Sequence, residues 1–442
     1  MIKKFYYHNF NIIFISLALS FATFFVNVII NPILIKDFHF EEVIINYSAM
    51  GFSIGFFLGT FFIRYILNHK INFFKTLNNF ITFFMFIQLI LLIYVYFSQI
   101  FDNNIYQSFY ILIRLVEGFG ATSVFFVIGY LISFKLLNNP YKGTLQGFYN
   151  SKSYAIKFLS PLIGSAFVLY TQEPLLLYVG SFLIYLLCYI YIYKNKNILF
   201  IKYHKYMTRK HQVSKKKLKS LDLKKIFNFS FFKLILKNDK LNKLLFGLEV
   251  FFQNLLRPFY DLYFVLIMTF IFKLNIAEAS FLFTLMVLAM ALSFKTAFLF
   301  DRLYKKLNEY KEVYQTFLSA SFNILFFSWM LFLMHTNNEF FLENIYYVLM
   351  ITSFCLGLIR NIFSDRGYRQ ILEYSLKDKK LEDYKSGNLI IGEMGHIIGY
   401  FLTGILFSLL SYIGIIYWCL FISFCLFILM IFKIILRRKN FI

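Results

Sequence analysis

Residues 107–134 read QSFYILIRLVEGFGATSVFFVIGYLISF, a run whose only formal charges are Arg114 and Glu117. A helix of that length reaches about 42 Å at 1.5 Å per residue, more than the ~30 Å hydrocarbon core of a bilayer. An arginine inside such a run costs about 3 kcal/mol or more on insertion scales, and Glu117, one turn further on, partly offsets it. The stretch therefore reads as a membrane span that carries its own ion pair. That pair is either a structural seam or part of a functional site.

Eleven further segments of comparable length and apolarity flank it, at about 11–34, 43–67, 76–99, 148–170, 174–193, 244–271, 279–300, 313–335, 344–363, 386–410 and 413–436. The whole chain is consistent with them: of 442 residues, 60% are hydrophobic and only 15% charged, and the mean hydropathy is +0.65. Soluble domains carry about 25% charged residues, so an ordinary globular protein is excluded. Lys3 and Lys4 precede the first span, but its apolar stretch continues through Asn31 and Pro32, longer than a cleavable leader, and it is expected to be retained. The 63 phenylalanines accompany a surplus of Ile, Lys and Asn that fits AT-rich codon usage, so they are no argument for aromatic recognition.

The net charge of +23 is first a topology signal. With both termini on the cytoplasmic side, 39 of the 45 Lys and Arg residues fall in inner segments, four of them in the C-terminal tail. Outer loops hold only Lys36 and Lys273. This is the positive-inside bias, it agrees with an even number of spans, and it removes the case for a nucleic-acid partner. Residues 194–243 divide the spans six and six and hold sixteen Lys or Arg, including Lys215, Lys216 and Lys217. The expected organisation is an N-terminal six-helix bundle over 1–193, a basic cytoplasmic linker over 194–243 and a C-terminal six-helix bundle over 244–442. Within the linker, 222–236 is either a passive tether or an amphipathic segment on anionic lipid. Cys188, Cys355, Cys419 and Cys425 all sit in apolar runs without metal-ligand spacing and read as small core residues.

Three short stretches carry a family resemblance. Gly51-x3-Gly55-x3-Gly59 offers a small-residue face to a neighbouring helix, and the loop after it opens with Asn68, His69 and Lys70. In the corresponding place of the second half stands Asp301-Arg302-Leu303-Tyr304-Lys305-Lys306. This resembles the major facilitator superfamily, whose loop reads G-x-x-x-D-R-x-G-R-R once per half. Asp301 and Arg302 occupy the acid and base positions, with Tyr304 in place of the glycine. In the first copy Asn68 and His69 occupy them. Arg114-Leu-Val-Glu117-Gly118-Phe-Gly120-Ala121 is similar to the family's R-x-x-Q-G-x-G-A, with Glu117 in the Gln position. Ser160-Pro161-Leu-Ile-Gly164 is similar to the end of G-x-x-x-G-P-x-x-G, a motif found mainly in exporters, with Ile156 and Ser160 replacing two glycines. The resemblance implies an all-α membrane protein of twelve transmembrane helices, in two six-helix bundles related by a pseudo-two-fold axis. It also implies a gating loop at Asn68, His69, Asp301 and Arg302.

Other ionisable residues inside the expected spans are Lys157, Glu249, Arg257, Asp261, Lys295 and Glu393. Glu249, Gln253, Arg257 and Asp261 recur every fourth residue and, on an unbroken helix, share a face with Pro258 among them. Such a stripe suits a cavity-lining helix or an inter-helix ion-pair seam. Glu393 and His396 lie one turn apart in a glycine-rich stretch, where His396 is either a satisfied interior side chain or a proton carrier. Asn27 and Asn31 in the first span face the same cavity or form an interhelical hydrogen bond.

These features lead to a secondary active transporter that moves a small organic solute, a metabolite or drug of anionic or zwitterionic character, by alternating access. The expected driving force is a proton gradient, because no Walker-type G-x4-G-K-[ST] occurs; no cofactor or metal is implied. Arg114, Lys157, Arg257, Gln253, Asp261 and Asn27 are the expected solute contacts. Glu117, Glu393, His396 and Glu249 are the expected proton-coupling groups. Export is narrowly preferred over uptake of a nutrient. A membrane-embedded transferase and a transporter-derived solute sensor are the alternatives from other classes. The expected setting is a bacterial inner membrane with a monomeric protein, whose partners are solute, protons and lipid.

Overall fold

A computed structural model describes residues 2–68, 73–98, 104–136, 142–195, 240–303, 311–358 and 381–438. Among these the only regular elements are helices. The first half contains α1 (Ile2–Lys36), α2 (Glu42–Asn68), α3 (Phe73–Ser98), α4 (Asn104–Leu136), α5 (Lys142–Thr171) and α6 (Leu176–Lys194). Each matches one expected span to within three residues at either end, except that α1 and α5 begin nine and six residues earlier. The linker at 196–239 lies outside the described residues.

The second half opens with α7 (Lys240–Leu255), a π-helical segment (Phe259–Tyr263) and α8 (Phe264–Phe270). Sequence reading expects one helix here. Pro258 breaks it, because proline has no N–H to donate and its ring crowds the preceding turn. The wider π turn then shifts the helical register by the length of the insertion. There follow α9 (Ile276–Leu303), α10 (Lys311–His335), a short α11 (Glu339–Glu343) capped by the Asn338 side chain, and α12 (Ile345–Leu358). The last two expected spans appear as α13 (Leu381–Arg438), which Ser411 divides with a φ of 54°. Six helices among the described residues are long and apolar enough to cross a membrane; the last, Tyr384–Leu436, covers both sides of Ser411.

Small residues set the helix pairings. A Cβ added at Gly55 of α2 would stand 1.8 Å from the Leu115 carbonyl oxygen, and one at Gly118 of α4 would stand 1.9 Å from that of Phe52. The backbones of α2 and α4 therefore touch directly, as the small-residue spacing predicts. The second half repeats the device: a Cβ at Gly357 of α12 would meet the Met286 carbonyl of α9 at 2.0 Å. Gly164 of α5 lies against the Phe25 carbonyl of α1, and Gly395 of α13 against the Phe251 carbonyl of α7. Close glycine contacts thus recur in both halves of the chain.

The two halves share one apolar cluster at the end that carries the α1–α2 turn. Phe38, Phe40 and Ile45 there join Phe259, Phe264, Met268, Tyr412 and Ile416. Toward the other end Ile12, Ile81 and Tyr185 form a cluster in the first half and Ala320, Leu426 and Met430 one in the second, while Phe61 and Tyr65 of α2 pack across to Ile390. Two sequence expectations need correction. Arg64, Lys385 and Lys433, counted with the inner loops and tail, are buried at 4%, 9% and 0% exposure, because the helix ends pack against neighbours before they reach the surface. Cys355 is exposed on α12 rather than a core residue, whereas Cys188 and Cys419 are buried.

Candidate functional site

Two charged clusters face each other from the two halves. In the first half Arg114 donates to the Glu117 carboxylate on its own helix. It also donates to Asn27 Oδ1 of α1 at 3.2 Å, and its guanidinium lies 5.0 Å from the centre of the Phe52 ring of α2. Gln88 Nε2 of α3 donates to the second oxygen of Glu117 at 3.1 Å. The Arg114 side chain is 11% exposed and that of Glu117 2%. Four helices thus converge on one buried ion pair, and each charge has neutral polar or aromatic company as well as its counter-ion. That is the condition under which an intramembrane pair is tolerated.

The second cluster is more open. Arg257 Nε donates to Asp261 Oδ2 at 2.8 Å, and their side chains are 43% and 38% exposed. Both residues flank the break at Pro258, so the disruption that removes the regular helix also presents this pair to open space within the fold. Glu393 Oε2 pairs with His396 Nδ1 at 3.0 Å on α13, both buried, and His396 Nε2 has no hydrogen-bond partner among the described residues. Arg257 interacts electrostatically with Asp261, with Glu393 and with Tyr400, which lies one turn beyond His396. Tyr400 thus belongs with the second cluster.

The remaining expected site residues divide in three. Lys157 of α5 places its Nζ 4.6 Å from the centre of the Phe24 ring, on the same helix as Asn27, so the ammonium sits on an aromatic face at the wall of the first half. Gln253 is half-buried. Glu249, by contrast, turns into the second half: Thr316 donates to its Oε1 at 2.7 Å and Lys433 to its Oε2 at 3.1 Å. The expected stripe on the seventh span is thus split, Glu249 going to the bundle interior and Arg257 with Asp261 to open space. Asn68 ends α2, and Asp301 and Arg302 lie in the last turn of α9; their side chains, and the whole of His69, lie outside the described residues.

Sequence reasoning missed four participants: Gln88, Asn46, Tyr400 and Lys433. Gln88 and Asn46 are lone amides in apolar runs, a signal that was present. Tyr400 continues the face of Glu393 and His396 but is hidden among 33 tyrosines. Lys433 lies three residues inside the end of its expected span and reads as a tail residue.

A sequence model of the Major Facilitator Superfamily matches residues 12–369. Among solved structures, the nucleoside transporter NupG aligns over 96% of this chain and 97% of its own, with a TM-score of 0.63 and 13% identity. The human organic anion transporter MFSD10 (TETRAN) aligns over 95% and 98%, with a TM-score of 0.63 and 12% identity. A bacterial homologue of the iron transporter ferroportin, in an outward-facing state, aligns over 96% and 98%, with a TM-score of 0.61 and 11% identity. No curated protein matches the chain. Identities this low establish a common fold and leave the solute to the site itself.

Proposed function

The chain belongs to the major facilitator superfamily, as an integral membrane transporter of a small solute and not an enzyme, and we propose that it exports an organic acid or zwitterion in exchange for protons. The observation that carries this reading is an arginine–carboxylate pair in each half, Arg114 with Glu117 and Arg257 with Asp261, of which the second is open. Two permanent cations in opposed walls need anionic company in every state of the cycle. Here that company is resident: Glu117 for one, Asp261 for the other.

In this proposal the solute's anionic group engages Arg257, whose pair with Asp261 is the open one, and Gln253 supplies a further polar contact from the same helix. Lys157 and Asn27 complete the opposite wall, and Arg114 shapes it. Glu393, paired with His396, exchanges the proton; Glu117, held by both Arg114 and Gln88, is the second candidate carrier. The neighbours of Glu249 favour a positioning role in the second half. The proposed setting is a bacterial inner membrane with both termini cytoplasmic. The shared apolar cluster then lies at the outer end, and the proposed state is a monomer.

The test is flux in proteoliposomes, with a panel of organic acids, amino acids and drugs and an imposed pH gradient. Accumulation that follows the gradient and is lost in Arg257→Gln supports the reading. Full transport of the identified solute by both Arg257→Gln and Lys157→Gln overturns the assignment of its contacts. A second direction, uptake, would show as accumulation with the opposite sign of gradient.

A further inference from the structure

Asn46 is a buried amide of α2, with 0% exposure, at the end of the molecule where apolar side chains of the two halves form one cluster. Its hydrogen-bond partners all belong to the other half. Nδ2 donates to the Tyr400 carbonyl at 2.8 Å; Oδ1 accepts from the Tyr263 hydroxyl at 2.8 Å and, at 3.5 Å, from Thr403 Oγ1. Tyr263 closes the π-helical segment and Thr403 belongs to α13. One side chain of the first half is thus clamped to both C-terminal elements that face it. Gly404 makes the room: a Cβ there would lie 2.5 Å from Asn46 Nδ2.

Tyr400 is at once a latch residue and a site residue. Its backbone carbonyl binds Asn46. Its phenol is in electrostatic contact with Arg257, Asp261 and Glu393, and its ring centroid lies 6.5 Å from that of His396. A change in the charge around Arg257 that moves the Tyr400 ring by a rotation or shift of α13 must move the carbonyl too, because both belong to one helical residue. We propose that Asn46 is the latch that holds the α1–α2 end closed, and that Tyr400 transmits the state of the charged site to it. Asn46 is then a positioning residue, acting through Tyr400 rather than on solute. The closure element rests on the geometry of the described end alone; only the link to the site rests on the proposed transport reading.

An apolar replacement does not restore the seal, because it leaves the Tyr263 hydroxyl and the Thr403 hydroxyl facing a buried wall with one acceptor fewer. Interhelical hydrogen bonds in membranes contribute about 0.6 kcal/mol on average and up to about 1.7. Removing the amide is therefore expected to raise the population open at this end by roughly three- to eighteen-fold.

The experiment is pulsed electron-spin distance measurement between nitroxides at Asp37 and Lys273, both exposed at this end. It uses the full-length protein in lipid, with Cys355 and Cys425 replaced by alanine. Asn46→Leu and, separately, the milder Tyr263→Phe are expected to increase a longer-distance component. Arg257→Gln is expected to do the same by itself and to add little in an Asn46→Leu background. Unchanged distances in both Asn46→Leu and Tyr263→Phe overturn the latch. Full additivity of Arg257→Gln with Asn46→Leu overturns the link through Tyr400 and leaves the latch standing. Since no solute enters this measurement, its outcome is separate from that of the flux assay.

Discussion

Lys433 and Glu249, 184 positions apart, form a salt bridge of 3.1 Å inside the second half, with the lysine fully buried. In the first half α1 and α6 are joined by neutral contacts: Thr23 and Tyr185 share a hydrogen bond of 2.8 Å, and Tyr191 donates to Asn11 Oδ1 at 2.8 Å. Two ways of joining the first and last helices of a bundle therefore coexist in one molecule, one ionic and one not. Removing one member of a buried ion pair strands the other and costs about 3–5 kcal/mol, whereas removing both is often tolerated. Lys433→Met is accordingly expected to lower the melting temperature in detergent markedly, and Lys433→Met with Glu249→Gln to recover most of the loss. A double variant no more stable than the single one would count against the pair.

The close approach of α2 and α4 makes a second prediction. Gly55→Ala places a methyl 1.8 Å from the Leu115 carbonyl, a backbone atom that cannot swing aside, and Gly118→Ala does the same at Phe52. Both are expected to reduce the yield of monodisperse protein severely. Gly247→Ala meets only the Ile391 side-chain tip at 3.5 Å and gains helix propensity by about 0.5–1 kcal/mol, so it is expected to be neutral or mildly stabilising. Size-exclusion profiles of the three variants decide it.

Much of the architecture is legible in the sequence because length and apolarity are enough to mark a helix that must cross lipid, and backbone hydrogen bonding in lipid leaves few other folds. Glycine spacing marked α2 as a helix of close approach for the same reason, since only small residues let backbones meet, but not α4 as its partner. The site was legible in part. Arg114 with Glu117, and Glu393 with His396, sit one turn apart, so local spacing alone pairs them. Arg257 with Asp261 survives the helix break at Pro258, but the partition of Glu249 away from them does not follow from an ideal periodicity, because α7 ends at Leu255, between Glu249 and Arg257. Asn46, Gln88 and Lys433 find their partners only across long sequence separations, and no local pattern encodes those.

The first-half cluster predicts a split between folding and transport. Arg114→Leu leaves Glu117 buried with Gln88 alone, so it is expected to lower stability as well as flux. Glu117→Gln keeps a polar partner for Arg114 and Gln88, and is expected to fold normally. If Glu117 is the proton carrier, its Gln variant loses gradient-driven flux; if it is a positioning group, the flux falls by no more than a few fold. Measuring melting temperature and flux on the same preparations separates the two.

The Glu393–His396 pair gives the sharpest distinction between coupling and mere binding. Glu393 is buried, accepts from His396 Nδ1, and lies within electrostatic reach of Arg257. A carboxylate that must bind and release a proton in each cycle is needed for net movement against a gradient. It is not needed for one solute molecule to exchange with another, since the carrier then returns with the same proton state. Glu393→Gln is therefore expected to abolish accumulation driven by an imposed pH gradient while retaining solute exchange between equally loaded compartments. Loss of both activities would instead place Glu393 among the solute contacts, and retention of both would move the proton to Glu117 or to another ion altogether. His396→Gln, which keeps a donor toward Glu393 but cannot charge, is expected to behave like Glu393→Gln if the pair carries the proton jointly, and like the native protein if the histidine only orients the carboxylate. Flux and exchange assays of these two variants, run side by side, assign the proton to the pair or to one member.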